Sequence, residues 1–330
     1  MLAKNEKDPT FSVIIPVKEI NDYLTKETIP KILSQSYQGF EIIILPDKKT
    51  SQKFPKTRII PVRGGPAKKR DLGAEESKGK ILAFLDDDAY PSKNWLKSAL
   101  KHFQKKNRVA AVCGPGITPS QDNLQQKASG WVWSTWLGAG GAGVYRCVPK
   151  EKREVDDFPT FNLSIKKEDF LKVGGFDSHF WPGEDTKICL DLVHKIGKKI
   201  IYDPNVLVYH HRRALFLPHL RQVGNYGLHR GYFARVLPQT SARIGYLAPV
   251  FFALGLIIGV PLSFANPVFF SIFASVIFLY LLLLLKEGTW LFLREKNLKL
   301  SFLVMTGIFS THFWYGLRFM QGYFSKNLKQ

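Results

Sequence analysis

Acidic residues are the scarce class in this sequence, and none occurs between Pro204 and Lys286. In all, 27 Asp and Glu stand against 47 Lys and Arg, which gives the 330 residues a formal net charge of +20. Such an excess predicts an anionic partner: a nucleic acid, an acidic membrane surface or a phosphorylated substrate. The sequence lacks the aromatic-interleaved basic face of a known nucleic-acid-binding module, so we expect no nucleic-acid partner.

Cysteine is also rare. Cys113, Cys147 and Cys189 have neither the C-x-x-C spacing of a zinc ribbon nor the even number of a disulfide framework. We therefore expect a reducing compartment. The opening residues, MLAKNEKDPT, are charged and lack an apolar core, which argues against a signal peptide.

Charge is absent from two long apolar segments, the 19 residues Tyr246–Phe264 and the 20 residues Asn266–Leu285. At about 1.5 Å of rise per residue, each can cross a hydrocarbon core about 30 Å thick. A third segment, Ser301–Phe324, carries His312 and Arg318, and it is either a third span or a helix that lies in the interface.

The segment after the second apolar run, KEGTWLFLREKNLK, holds four basic residues. Under the positive-inside rule this side faces the cytosol, and so do the residues before the first span. The sequence therefore predicts an integral protein of the cytoplasmic membrane in three parts. These are a cytosolic domain over residues 1–205, basic interfacial helices over residues 206–245 and a transmembrane region of two or three helices over residues 246–330.

The basic part interleaves arginines with aromatic residues; the arginines are Arg212, Arg213, Arg221, Arg230, Arg235 and Arg243. This composition is typical of interfacial helices, whose cations meet lipid phosphates. We expect Arg212 and Arg221 on the side of a membrane-associated acceptor. A basic linker that only obeys the positive-inside rule is the alternative.

Short apolar runs rich in Ile and Val alternate with helical patterns in the first hundred residues, as buried strands do. The runs are Phe11–Val17, Glu41–Pro46, Arg58–Val62 and Ile81–Asp86, and the helical patterns are Tyr23–Gln35 and Ala67–Ser77. This alternation predicts an open parallel α/β sheet. Ligands bind at the carboxyl ends of such strands, where Asp47 and Asp86–Asp88 fall.

Three consecutive carboxylates, Asp86, Asp87 and Asp88, follow the strand in the sequence ILAFLDDDAYP. Helix capping needs one carboxylate, and Tyr90-Pro91 separates the cluster from the next helix. Two carboxylates spaced i, i+2 past a strand suit a hard divalent cation that carries phosphates. We therefore expect Mg²⁺ or Mn²⁺ with a nucleotide diphosphate at Asp86 and Asp88.

Two further motifs carry candidate chemistry. In WPGEDTKICLDL, Glu184 and Asp185 open a predicted helix, either as its cap or as a catalytic pair in which one carboxylate is a general base. In YHHRR, adjacent histidines point to opposite sides of a strand, so one of them, for which we favour His210 over His211, can reach the metal or phosphates.

The segment Trp131–Tyr145, WVWSTWLGAGGAGVY, is too short to span a bilayer and too rich in glycine for a good helix. It predicts a mobile loop.

Taken together, these motifs resemble the family 2 glycosyltransferases of the GT-A fold, from about Phe11 to Arg213. The segments that carry the resemblance occur in the family's order and spacing: SVIIPV, EIIILPD, AKKRDLGAEESKGKILAFLDDD, FNLSIKKEDFLKVGGFD and GEDTKICLDL. The resemblance implies an α/β, Rossmann-like GT-A domain of the nucleotide-diphospho-sugar transferase type, followed here by an α-helical transmembrane tail.

The resemblance also implies roles for individual residues. Donor binding would fall to Pro16, Val17, Glu19, Asp47, Arg70, Asp86 and Asp87, and the D-x-D pair on the metal would be Asp86 and Asp88. Asp185, beside Glu184, would be the catalytic base, and Asn162 and Trp181 would line the acceptor side. The family's usual P-x-Y-N-E reads Pro16-Val17-Lys18-Glu19 here, and the Q-x-x-R-W of processive polysaccharide synthases is absent after GEDT.

The implied activity is metal-dependent, inverting transfer of a hexosyl group from a nucleotide-sugar (UDP first, GDP or dTDP as alternatives). Membrane attachment and the arginines favour a lipid-linked acceptor, such as a polyprenyl phosphate, in cell-envelope glycan synthesis. The alternatives are a soluble glycan acceptor, a nucleotidyl- or phosphoglycosyl-transferase, and a non-catalytic membrane scaffold of the same fold.

Overall fold

A core of buried parallel strands organises the first half of the chain. The computed structural model describes residues 9–105 and 108–328. Strands β1 (Phe11–Pro16) and β4 (Ile81–Leu85) are buried along their whole length. Their continuous apolar sequence follows from this position, because a strand covered on both faces has no polar side.

The remaining strands of the described chain are β2 Phe40–Leu45, β3 Thr57–Ile59, β5 Ala89–Pro91, β6 Val109–Cys113, β7 Gly116–Ile117, β8 Arg153–Val155, β9 Asn162–Lys166, β10 Lys199–Tyr202 and β11 Val208–His210. The helices are α1 Ile29–Leu33, α2 Pro66–Glu75, α3 Trp95–Lys105, α4 Leu124–Ser134, α5 Trp136–Cys147, α6 Lys167–Val173, α7 Glu184–Leu190, α8 Leu217–Val236, α9 Pro238–Ser241, α10 Ile244–Ala265, α11 Pro267–Glu295 and α12 Leu298–Phe324. Helix α1 follows a π-helical turn, Leu24–Thr28, and α7 runs into another, Asp191–Lys195.

The main sheet has eight strands in the order β3-β2-β1-β4-β9-β6-β10-β8. Strands β3, β2, β1 and β4 are parallel neighbours, as expected. The expectation of a wholly parallel sheet was wrong, since β9 pairs antiparallel with both β4 and β6, and β8 pairs antiparallel with β10. The fold class is therefore α/β with a mixed sheet.

A small second sheet, in the order β5-β11-β7, lies beyond the carboxyl end of β4 in the chain. Its middle strand β11 pairs antiparallel with β5, which places His210 opposite Ala89. Since Ala89 follows Asp88 directly, this pairing brings a histidine beside the carboxylate cluster.

The described chain divides into two compact units. The first unit comprises Met1–Ile117 and Pro149–His210, and the second comprises Thr118–Val148 and His211–Gln330. Residues 118–148, which lie between β7 and β8 in the sequence, thus group with the C-terminal helices.

The mobile loop expected over Trp131–Tyr145 is wrong, because the segment forms α4 and α5. An asparagine-glutamine capping box, Asn123 with Gln126, starts α4, and the Thr135 hydroxyl accepts a hydrogen bond from Gly138 N at the start of α5. These caps, together with packing inside the second unit, outweigh the low helix propensity of glycine. Helix α5 has one non-helical residue, Gly140, with φ 62°.

In the second unit, α8 packs closely on α12 through glycines. A Cβ on Gly231 would lie 1.9 Å from Phe319 O, and one on Gly322 would lie 1.9 Å from Leu228 O. Backbones approach in this way where small residues line a helix interface. Two described helices, α10 and α11, are long and apolar enough to cross a membrane by length and composition. Whether α12 is a third span stays a prediction.

Candidate active site

Two carboxylates and an imidazole converge at the carboxyl end of β4. The ligand atoms of Asp86, Asp88 and His210 all lie within 4.8 Å of one another. His210 Nε2 is 3.1 Å from Asp88 Oδ1, and both side chains are 12% exposed. The small sheet accounts for this geometry, because the β5–β11 register sets His210 beside Asp88.

The two adjacent histidines have different surroundings. The His210 ring packs against Phe161, with ring centroids 4.9 Å apart, whereas His211 Nδ1 lies 2.5 Å from Asp122 Oδ1. His211 and Asp122 belong to the second unit, and both side chains are buried. The structure therefore brings His210 into the carboxylate cluster and gives His211 another partner.

This donor set fits a divalent cation. Carboxylate oxygens suit Mg²⁺ and Mn²⁺, and an imidazole nitrogen binds first-row transition metals. Asp86 Oδ1 is also 2.9 Å from the guanidinium of Arg70, so a cation would share this carboxylate with a buried arginine. The chemistry of the donors thus fits the metal that the sequence predicted.

Asp87 faces a different environment from its neighbours. Its carboxylate accepts a hydrogen bond from the Asn21 amide. Burial, followed by the negative charges of Asp88 and Asp86, raises the pKa of Asp87 to about 6. Asp87 was expected to contact the nucleotide-sugar, and the structure places it next to the π-helical turn that follows β1.

Arg70 connects the candidate metal ligands to the start of α7. It lies on α2 with its side chain 6% exposed, and it donates hydrogen bonds to Asp86 (2.9 Å) and Glu184 (3.0 Å). Glu184 is 7% exposed, and its pKa is raised by burial even though the positive charge of Arg70 opposes the shift. Glu184 is therefore held inside the protein as the partner of Arg70.

Asp185 is the more accessible member of the pair that was expected to be catalytic. It is partly buried, and its Oδ1 accepts a hydrogen bond of 2.7 Å from Thr186 N.

Two glycines between α6 and α7 shape the segment that leads to Asp185. Gly174 and Gly175 have φ values of 93° and 74°, which end α6 in a left-handed turn. This turn directs Phe176 N to Asp71 Oδ1, at 2.8 Å, and so ties the segment before α7 to α2.

The expected nucleoside-binding residues cluster at the ends of β1 and β2. Pro16 and Val17 are buried there, whereas Glu19 is exposed. Lys69, which the sequence analysis missed, is buried between them: its ammonium donates to Val17 O at 2.6 Å and lies 2.5 Å from Asp47 Oδ1. The hydrogen bond from Lys69 is the main cause that lowers the pKa of Asp47.

No simple signal in the sequence could have found Lys69, because it stands between Lys68 and Arg70 in a uniformly basic stretch. Helical spacing turns Lys69 and Arg70 inward, while Lys68 is exposed.

Asn162 was expected on the acceptor side, and the structure places it inside the first unit. It is completely buried; its side-chain oxygen accepts from Trp95 Nε1, and its amide group donates to Gly114 O and Val206 O. These bonds connect β9 to α3 and to the segments that follow β6 and β10.

The other expected acceptor-side residues lie in both units. Trp181 is partly buried just before α7 in the first unit. In the second unit, Arg212 Nε donates to Thr118 Oγ1 at 3.3 Å, and Arg221 is exposed on α8. Arg230, which we expected at the lipid surface, is buried: it bonds Ser241 Oγ at 3.3 Å and lies 4.5 Å from the Tyr246 ring.

Comparison with known proteins relates the first part of the chain to one family. Residues 12–148 match the sequence model of glycosyl transferase family 2; this range includes β2 to β7 and the carboxylates Asp47 and Asp86–Asp88. This part of the chain is similar to the family 2 glycosyltransferases, and the whole chain has the GT-A fold followed by a helical C-terminal segment.

Two curated relatives match over most of the chain. The glucosyl-dolichyl phosphate glucuronosyltransferase of Haloferax volcanii is 23% identical over 60% of this chain and 68% of its own length. A dolichyl N-acetyl-α-D-glucosaminyl phosphate 3-β-D-2,3-diacetamido-2,3-dideoxy-β-D-glucuronosyltransferase of Methanococcus voltae is 24% identical over 68% of this chain and 74% of its own. The pre-mycofactocin glycosyltransferase of Mycobacterium tuberculosis is 29% identical, but the match covers 49% of this chain and 33% of that protein.

Among solved structures, the mannosyltransferase PcManGT from Pyrobaculum calidifontis, in complex with GDP-Man and Mn²⁺, has a TM-score of 0.52 at 18% sequence identity. The superposition covers 93% of this chain and 86% of that one, and it supports the fold.

Proposed function

Because residues 12–148 match the sequence model of glycosyl transferase family 2, we propose that the chain transfers a sugar from a nucleotide-diphosphate sugar to a lipid-linked acceptor at the cytosolic face of the cytoplasmic membrane. The observation that carries this proposal is the convergence of Asp86, Asp88 and His210 next to a buried Arg70 that also holds Glu184. Such a group suits a diphosphate that is bound together with a divalent cation.

The donor site that we propose has two ends. At one end, the carboxylate of Asp47 can accept an N–H from uracil, thymine or guanine, and Lys69 keeps that carboxylate ionised and oriented. At the other end, Asp86, Asp88 and His210 would hold Mn²⁺ or Mg²⁺. The bound cation would neutralise the negative charge that develops on the diphosphate leaving group. Arg70 adds a fixed positive charge beside the same carboxylates.

We propose Asp185 as the general base. Glu184 is engaged by Arg70 and buried, so the accessible carboxylate at the start of α7 is that of Asp185. A base that takes the proton of the acceptor hydroxyl as the oxygen attacks the sugar anomeric carbon supports a single displacement, and a single displacement inverts the anomeric configuration. Glu184 then acts as a positioning residue for Arg70.

Two observations support a lipid-linked acceptor. The chain carries two helices long and apolar enough to hold it in a membrane, which confines the site to the bilayer surface. The names of the two relatives that match over most of this chain also describe transfer to dolichyl-phosphate-linked sugars. Under this proposal, residues 1–205 form the catalytic domain, residues 206–245 include the basic α8 and residues 246–330 form the membrane region.

The test is transfer by the purified full-length protein in detergent. A panel of UDP-, GDP- and dTDP-sugars is presented with a polyprenyl phosphate or a polyprenyl-diphosphate sugar, and both nucleoside diphosphate release and the glycolipid product are measured. We expect release that depends on the lipid and stops in EDTA. Asp185→Asn should retain donor binding but lower turnover by about 10²-fold or more.

The control variant is Glu168→Gln, which neutralises an exposed carboxylate on α6 and should leave turnover unchanged. Equal activity on a water-soluble glycan would replace the lipid acceptor with a soluble one. Release of nucleoside monophosphate would indicate phosphoglycosyl transfer, and inactivity with every donor despite folded protein would favour a scaffold.

A further inference from the structure

We infer that the helical hairpin formed by α4 and α5 is embedded in the cytosolic leaflet of the membrane, with Trp136 at its tip in contact with lipid. This inference rests on the proposed membrane attachment of α10 and α11, and it does not depend on sugar transfer. The sequence places the hairpin between two strands of the first unit, so its burial in lipid is not apparent from hydropathy.

The composition of the hairpin permits such a position. The 18 residues from Ala128 to Tyr145 contain no charged side chain. The polar groups at the tip are satisfied within the hairpin: Ser134 Oγ donates to Gly130 O at 2.7 Å, and Gly138 N donates to Thr135 Oγ1 at 3.1 Å. Backbone and hydroxyl groups at membrane depth require internal partners of this kind.

The hairpin packs against the candidate membrane helices within the second unit. Ala128 and Val132 share a buried apolar cluster with residues of α11 and α12; these are Leu284 and Leu291 of α11 and Leu300, Val304 and Ile308 of α12. Helix α5 contacts α10, α11 and α12. Elements packed side by side lie at the same depth, so the position of α11 in the bilayer fixes that of the hairpin.

One end of this contact lies at the membrane surface. The guanidinium of Arg294, near the end of α11, lies 4.9 Å from the Trp131 ring and 5.5 Å from the Trp290 ring. The Arg294 side chain is 59% exposed, so it must lie in water or among headgroups. Trp and Tyr rings gather at headgroup depth in membrane proteins, and Trp131 therefore marks the entry of α4 into this region.

The tip lies deeper. His312 Nε2 is 2.9 Å from Leu137 O, and His312 Nδ1 is 3.0 Å from the Tyr280 hydroxyl. Tyr280 precedes Lys286, the first charged residue after the apolar run of α11, by six residues, or about 9 Å of helix. Leu137 is thus held at the level of Tyr280, below the surface that Lys286 marks.

Trp136, next to Leu137, is 68% exposed. An indole left exposed at this depth faces acyl chains, because α5 packs against α11, a helix with exposed apolar side chains; Phe278, for example, is 63% exposed. The contact of α5 with α11, a helix long and apolar enough to cross a membrane, selects lipid as the partner rather than a soluble protein.

The experiment uses the full-length protein in phosphatidylcholine vesicles, with an environment-sensitive fluorophore on a cysteine introduced at Trp136. The native cysteines, Cys113, Cys147 and Cys189, are buried and should label poorly. Phe278→Cys on α11 is the membrane control. Leu171→Cys on α6, where the leucine is 54% exposed, is the control on the first unit.

We expect lipids with a nitroxide on the acyl chain to quench the labels at positions 136 and 278 severalfold more than the label at position 171. A label at position 136 that is quenched by aqueous iodide and not by the lipid nitroxide would overturn the inference. Shielding of this label from both quenchers would assign the tip to a protein contact and would also overturn it. Lack of lipid quenching at position 278 would instead refute membrane attachment by α11.

Trp136→Phe provides a second measurement that does not depend on labelling. Because this exposed side chain is replaced conservatively, the variant should fold as the wild type does. Lipid nitroxides quench part of the tryptophan emission of the protein. Trp136→Phe should reduce this quenchable part more than Trp181→Phe does. Equal losses in the two variants would contradict the inference.

Discussion

Arg70 is expected to contribute to both the stability and the activity of the first unit, and variants of Arg70 should distinguish these two contributions. Arg70→Met takes away the positive partner of Glu184, whose side chain is 7% exposed, and of Asp86, whose side chain is 31% exposed. Truncating one member of a buried ion pair costs about 3–5 kcal/mol, because the other charge stays buried without compensation. Asp86 keeps part of its hydration, so we assign most of the loss to Glu184.

The loss should depend on pH. Burial already raises the pKa of Glu184, and removal of Arg70 raises it further. A carboxyl whose pKa is higher in the folded than in the unfolded protein binds a proton on folding, so stability falls as pH rises above its unfolded pKa, about 4.5. The destabilisation by Arg70→Met should therefore be larger at pH 8 than at pH 5.

The assay is thermal unfolding of the full-length variants in detergent. At pH 8 we expect a loss of about 3 kcal/mol, or roughly 6–12 °C in the midpoint for a unit of this size. Arg70→Met/Glu184→Leu should recover stability to within about 1 kcal/mol of the wild type, since apolar side chains often replace a buried pair without loss. Both variants should remain inactive. Equal destabilisation of the single and the double variant would refute the pairing.

Three further outcomes test other parts of the structure. His210→Gln should raise the Mn²⁺ concentration needed for half-maximal activity at least tenfold, with little change in the unfolding midpoint. Burial is the main cause that raises the pKa of Asp71 to about 6, so Asp71→Asn should stabilise the protein at pH 8 by about 1 kcal/mol, after allowance for partial exposure, and by less at pH 5. Gly231→Ala, where a Cβ meets Phe319 O, should lower the thermal midpoint, whereas Gly245→Ala, with nothing within 4 Å, should not.

The parallel half of the main sheet could be predicted from the sequence because its strands are buried on both faces. A short continuous apolar run such as Ile81–Leu85 is typical of a strand buried on both faces. Carboxylates directly after such a strand fall at the ligand-binding edge of the sheet. The direction of β9 could not be predicted in this way. The run Asn162–Lys166 has the same apolar character whether it is parallel or antiparallel to its neighbours, and only its pairing with β4 and β6 reveals the direction.

Glycine content predicts a loop over the hairpin α4–α5, whereas the capping signal ahead of it favours a helix. Asn123 and Gln126 have the spacing of a capping box and precede a segment without proline, and this signal was available in the sequence. The packing that stabilises the helices was not available, since it involves residues of α11 and α12 more than 140 positions later in the chain.

At the candidate site, residue type determines which chemistry is possible, and tertiary contacts determine which residue performs which role. Alternation along a strand implies that one of His210 and His211 faces the carboxylates, but alternation cannot say which; the pairing of His210 with Ala89 does. In the same way, the motif GED supplies two adjacent carboxylates that are chemically alike. Burial of Glu184 against Arg70, a residue 114 positions earlier, commits that carboxylate to an internal ion pair and leaves Asp185 as the candidate base. The chemistry that a site can perform is thus set by local sequence, while the role of each member is set by contacts with distant residues. Variants of Arg70 and His210 are therefore more informative about this site than variants of the motif residues alone.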